Sequence, residues 1–104
     1  MSAEALVKRI RRDLEAAFGD RLKGVVLYGS EARGEAGSDS DVDVLVLLEG
    51  PLSLWDDTRT TALLLQGVQS EMGRALHAMP VDADAYLAGG YALFREASRE
   101  GIRA

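Results

Sequence analysis

The chain has 104 residues, a length that fits a single domain over 1–104. It is 47% hydrophobic and 28% charged, in the range of globular proteins, and its net charge of −5 repels phosphate backbones, which argues against direct nucleic-acid binding. With no cysteine and one histidine, it excludes disulfides, zinc–thiolate sites, iron–sulfur clusters, thiol catalysis and histidine-rich metal sites, and leaves carboxylate, hydroxyl and guanidinium chemistry.

From Ala3 to Phe18, Leu6, Val7, Ile10, Leu14, Ala17 and Phe18 recur at helical spacing, with Ser2 placed to cap the helix and Gly19 to stop it. Lys8, Arg9, Arg11 and Arg12 form a basic outer face, read first as solvated and second as a docking patch. Lys23 to Tyr28 reads as a short strand ended by Gly29-Ser30, and the polar stretch from Glu31 to Ser40 has room for one helical turn. Val42 to Leu48 is apolar on both faces beyond its start, the pattern of a central strand covered on both sides. It is the longest apolar stretch and falls far below the roughly 20 residues that span a bilayer, so no membrane partner and a cytoplasmic location are expected. After Gly50-Pro51, Ser53 and Asp56 have capping-box spacing and open a long helix to about Ala78, with Leu65, Val68, Met72 and Leu76 as its buried stripe. Pro80 precedes an alternating strand from Val81 to Tyr86, and Leu87, Tyr91, Phe94 and Ala97 mark a last helix to about Arg99.

The expected fold class is therefore α/β (α+β): a small mixed three-stranded sheet flanked by helices in the order α-β-α-β-α-β-α. Ten residues separate Ser30 from Asp41, marginal for a parallel crossover but ample for an antiparallel return. An antiparallel return brings Gly29 and Ser30 beside Asp41 and Asp43, whose i, i+2 spacing points both carboxylates to one face. Two carboxylates next to a glycine corner supply what a magnesium nucleotide needs, oxygen ligands for the cation and unobstructed backbone N–H groups for phosphate. The plain alternative is an acidic loop in which Asp39, Ser40 and Asp41 serve as turn residues. Asp43 argues against it, because an unpaired carboxylate inside an apolar strand costs several kcal/mol and calls for a compensating cation, whether metal or arginine.

Two competing motifs fail on missing parts. Gly29 to Gly34 has P-loop spacing, but Glu35-Ala36 follows where Lys and Ser/Thr are required. Asp39, Asp41 and Asp43 imitate an EF-hand start, yet Val44 replaces the turn glycine and Gly50 the bidentate acid.

The segment Tyr28-Gly-Ser-x-Ala-Arg-Gly-Glu-Ala and Ser38-Asp-Ser-Asp-Val-Asp-Val-Leu-Val closely resembles the minimal nucleotidyltransferases of the DNA polymerase beta-like superfamily, strongly over residues 24 to 48. Arg95-Glu96 to Glu100-Gly101-Ile102 resembles that family's C-terminal stretch. The resemblance implies the polymerase beta-like core and two-magnesium transfer of a nucleoside monophosphate, AMP from ATP, with pyrophosphate leaving. It implies that Asp41 and Asp43 are catalytic metal ligands, that Asp82 after Val81 is the third, and that Gly29 and Ser30 hold the triphosphate. Arg33 stands where the family's arginine reaches the triphosphate, with an ion pair to Glu31 or Glu35 as its equal alternative. By analogy with the antitoxin halves of toxin–antitoxin pairs, the acceptor is expected to be a helical HEPN-type partner protein, with a homo-oligomer as the structural alternative. The rival function is a non-catalytic subunit that keeps the nucleotide fold for docking. His77 is read as a partly exposed residue near a helix end, Asp84 as surface, and Trp55, Met72 and Leu76 as core or interface.

Overall fold

The first helix, α1 (Ala3–Phe18), forms where its apolar period places it: the Ser2 hydroxyl accepts the Ala5 N–H at 3.1 Å, and Leu6, Val7, Ile10, Leu14 and Phe18 are buried. In this computed structural model, which describes residues 1–35, 37 and 40–104, a 3-10 turn leads from α1 into β1 (Leu22–Tyr28). Ser38 and Asp39 of the acidic motif lie outside the described residues. After the single turn α2 (Ser30–Arg33) come β2 (Val42–Leu48), α3 (Leu54–Leu64), α4 (Gln66–Met72), β3 (Leu76–Asp82), α5 (Ala83–Ala88), α6 (Ala92–Glu100) and β4 (Ile102–Arg103).

The sheet order is β3-β2-β1-β4. β1 and β2 are antiparallel, as the short connection requires, and Tyr28 lies opposite Asp43. β3 runs parallel to β2, and β4 adds a fourth strand antiparallel to β1 through Val26–Arg103 and Leu27–Ile102. Two residues are too few to show any alternation in sequence, so this strand has no signature of its own.

The two faces are covered unequally. On one, Val42, Val44, Val46 and Leu48 pack with Val25 and Leu27 against α1 and against Leu65 and Val68. On the other, Val26, Leu45, Leu47 and Val81 pack against Tyr86 of α5 and Phe94 and Ala97 of α6. By strand alternation Asp43 shares that second face with Leu45 and Leu47, one step beyond the last residue the helices cover.

Three expectations require correction. The long helix breaks at Leu65 and ends at Gly73, whose φ of 66° favours glycine, so it does not reach Ala78. Leu76 satisfies the helical stripe but packs into the same core from a strand. The third strand is Leu76–Asp82, displaced from Val81–Tyr86; Pro80 lies within it because β3 is an edge strand, where a missing N–H is tolerated. The alternation after Pro80 belongs instead to the start of α5, where Asp82 Oδ1 accepts the N–H groups of Asp84 and Ala85 at 2.9 and 3.1 Å while Ala83 and Tyr86 are buried. Trp55 is 80% exposed and therefore not core, whereas Met72 packs against it as expected.

One anchor had no sequence signal. Asp57 is buried in the first turns of α3, receives both Nη1 and Nη2 of Arg21 at 3.0 Å, and accepts the Ser53 N–H at 3.0 Å. The capping pattern thus works one residue later than its spacing indicates, with Ser53 Oγ merely donating to Asp56 at 3.1 Å. The Arg21 hydrogen bonds hold the Asp57 carboxyl below the usual carboxylate range. Stability from a depressed carboxylate is present above its unfolded value near 4 and lost as pH falls through the folded value. Asp57→Asn is therefore expected to lower stability by about 2 kcal/mol at neutral pH, and by progressively less as the pH falls below about 4, in urea unfolding followed by circular dichroism.

Candidate functional site

The polar end of the second sheet face is built by β1, β2 and β3 together. β1 ends at Tyr28, and Gly29 turns the chain into α2 with φ 72° and ψ −149°, a backbone conformation that essentially only glycine adopts. A Cβ on Gly29 would stand 3.0 Å from Asp43 Oδ2, so the Asp43 carboxylate lies against bare glycine backbone. Burial first, and then the Asp43 charge, push the Tyr28 phenol above its ordinary value.

Asp41, just ahead of β2, is on the same face as Asp43 by alternation. Its Oδ2 is 3.3 Å from Nε2 of His77. His77 is not near a helix end: it is the second residue of β3, pairs directly with Asp43 in the parallel register, and has a side chain 63% exposed. Among the described residues no three His, Asp or Glu side chains converge as they stand on a point that would hold a metal ion. The donor chemistry nevertheless fits a divalent cation, with one carboxylate just ahead of β2 and one on its second residue, both reachable from solvent, and bare backbone beside Asp43.

Arg74 fastens this corner. It follows the Gly73 stop of α4, gives Nη2 to Glu31 Oε2 of α2 at 2.7 Å, and gives Nε to the Ser40 carbonyl at 2.9 Å. Both side chains are largely buried, and the Glu31 hydrogen bond raises the guanidinium pKa further. The turn after Gly29 and the residue ahead of Asp41 are thereby tied to one group, a role invisible in the sequence because the partners stand 43 and 34 residues away.

Arg33 takes the ion-pair alternative. Its Nε donates to Glu35 Oε2 at 3.1 Å, with Glu100 of α6 at 3.8 Å, beside a hollow of about 200 Å³ lined by Tyr28, Gly29, Leu93, Glu96 and Ala97. Ser30 opens α2 next to Gly29.

Asp82 does not join Asp41 and Asp43. The register sets it beside Leu48, five residues along β3 from His77, which is about 17 Å at the usual rise per residue. There it caps α5 with Oδ1, and its Oδ2 lies against Gly50. Asp84 is exposed in the first turn of α5, as expected for a surface residue. Two of the four basic residues on α1 are paired within the chain, Arg9 with Asp13 and Glu71 and Arg11 with Glu15.

Residues 7–83 match the profile of the family described as the nucleotidyltransferase domain, an interval that contains Gly29, Asp41, Asp43 and His77. The chain belongs to that nucleotidyltransferase family. It is 41% identical over 44 residues to the Methanocaldococcus jannaschii protein named "Putative protein adenylyltransferase MJ0141", covering 42% of this chain and 44% of that protein's length. A solved structure described as a putative minimal nucleotidyltransferase superposes with a TM-score of 0.59 at 29% identity, over 98% of this chain and 95% of the other. A toxin–antitoxin crystal structure with AMP-PNP shares the fold, with a TM-score of 0.60 at 18% identity over 92% of this chain and 70% of that one. Nucleotidyltransferases of this fold generally use a divalent metal, in agreement with the donor set at the start of β2.

The role of Arg74 can be checked directly. Arg74→Ala is expected to lower stability by about 1–2 kcal/mol and to speed amide exchange at Ser40 to Val42 more than in the core of β2, measured by urea unfolding and hydrogen exchange.

Proposed function

We infer that the chain transfers AMP from ATP to a hydroxyl of an acceptor protein, with Mg2+ held by Asp41 and Asp43. The observation that supports this reading most is the Asp43 carboxylate lying against the bare backbone of Gly29, an arrangement suited to a cation ligand beside an unobstructed phosphate-binding N–H. Bound Mg2+, two ions with the nucleotide in place, would neutralise the triphosphate and polarise its α-phosphorus. Gly29 and Ser30 receive the phosphate oxygens through backbone N–H groups and the Ser30 hydroxyl. Asp41 and Asp43 fix the position of the triphosphate relative to the acceptor. In the transfer the acceptor hydroxyl gives up its proton to solvent, its oxygen bonds to the α-phosphorus, the bond to the bridging oxygen breaks, and pyrophosphate leaves. Arg33, already engaged by Glu35, takes part only by exchanging that partner for phosphate.

A protein acceptor is supported by the relative named for protein adenylyltransfer and by the toxin–antitoxin neighbour. The reading extends to an antitoxin acting in the cytoplasm on a helical HEPN-type partner. The chain also carries exposed apolar residues on α3, with Leu54 at 71% and Trp55 at 80% exposure, which a partner or a second copy could cover.

The test is incubation of the purified chain with α-labelled ATP, Mg2+ and the co-expressed product of the adjacent reading frame. Label is expected on the partner and to fall at least about a hundredfold in Asp41→Asn and Asp43→Asn, the scale of losing one transition-state contact, while Asp84→Asn labels normally. A partner that binds but is never labelled would instead establish the non-catalytic docking role.

A further inference from the structure

We propose that His77 is the third cation ligand of this site, and that the resulting set of two carboxylates and one imidazole favours a nitrogen-accepting divalent ion of the Co2+ type over Mg2+. The proposal rests on the reading of Asp41 and Asp43 as cation ligands and adds the residue that determines which cation they prefer.

Three observations carry it. The parallel register pairs His77 with Asp43, so the two residues point to the same face from backbones about 4.8 Å apart. Asp41 lies on that face as well, two residues before Asp43. Leu76 and Ala78, on either side of His77, pack into the opposite core, which fixes the histidine on the open face. The third strand therefore delivers an imidazole, not a carboxylate, to the place beside Asp43, while its one aspartate is used at the far end as a helix cap.

The second line is the existing contact. His77 Nε2 and Asp41 Oδ2 stand 3.3 Å apart. Two donors on one cation, each bonded at about 2.1 Å with angles between octahedral and tetrahedral, are separated by about 3.0–3.4 Å, so this pair already has the spacing of neighbouring ligands. Both side chains are more than half exposed, at 63% and 53%, and can turn toward Asp43 with no packing to disturb. Mg2+ is a hard ion that retains water and oxygen ligands, whereas imidazole nitrogen adds affinity for Co2+ and its later neighbours. Exchanging the third carboxylate for imidazole also removes one negative charge from the cluster, which weakens its hold on Mg2+ most.

The probes are Co2+ alone and Mg2+ alone, with and without AMP-PNP, read by the rise in melting temperature and, for Co2+, by its visible absorption. The folded wild-type chain is expected to bind Co2+ more tightly than Mg2+, with an absorption band that shifts when nitrogen is lost. His77→Ala is expected to weaken Co2+ by at least about tenfold, the scale on which even supporting groups around a metal act, and Mg2+ by less than about twofold. His77→Asp is expected to strengthen Mg2+ and weaken Co2+. Unchanged Co2+ binding and spectrum in His77→Ala, with binding lost in Asp43→Asn, would overturn the role of His77 and leave the carboxylate site standing. Absence of any response to either metal in the wild type would overturn both.

Discussion

A carboxylate on a central strand must be compensated, and Asp43 on β2 is the group around which the polar end of this protein is arranged. It is flanked by Tyr28 on one neighbouring strand and His77 on the other, and Gly29 lies against its oxygen. Among the described residues no guanidinium is placed on it, and with solvent within reach the charge remains available to a ligand. Its fixed position comes from backbone pairing on both sides, the most rigid support a small domain can offer.

That support depends on an uneven distribution of apolar burial. α1 and the α3–α4 segment cover one face of β2 along its whole length, through Val42, Val44, Val46 and Leu48. α5 and α6 cover the other face only over Leu45 and Leu47. The part left uncovered, at the start of β2, is where Asp43 and His77 lie, because the two short helices do not reach that far. Arg74 then closes the remaining freedom by tying the α2 turn to the residue ahead of Asp41. Asp57 with Arg21 anchors the start of α3 in a similar way, at the opposite end of the sheet.

Local patterns were legible and register was not. α1, β1, β2 and their antiparallel pairing follow from period, caps and a connection too short for anything else, and with them the convergence of Gly29, Asp41 and Asp43. The third strand misled because its residues satisfy two patterns at once: Leu76 continues a helical stripe, and Asp82, Asp84 and Tyr86 alternate as strand residues would. Starting the strand five residues earlier in the chain changes which side chain neighbours Asp43, since pairing decides contacts that composition does not. Thus His77, read in sequence as a helix-end residue, stands beside Asp43, and Asp82, selected by family pattern, stands at the other end of β3. Arg74 and Asp57 were beyond reach for a different reason, because their partners are distant in sequence and carry no motif.

The proposed cation site lies at the β2 start beside His77, and not at the β3 end. Paramagnetic broadening of backbone amide signals by substoichiometric Mn2+ tests it most directly, since broadening falls steeply with distance from the bound ion. The structure predicts loss of signal at Gly29, Ser30, Asp41, Asp43 and His77, with Gly50 and Asp82 to Ala85 unaffected. Broadening centred on Gly50 and Asp82 would contradict the account.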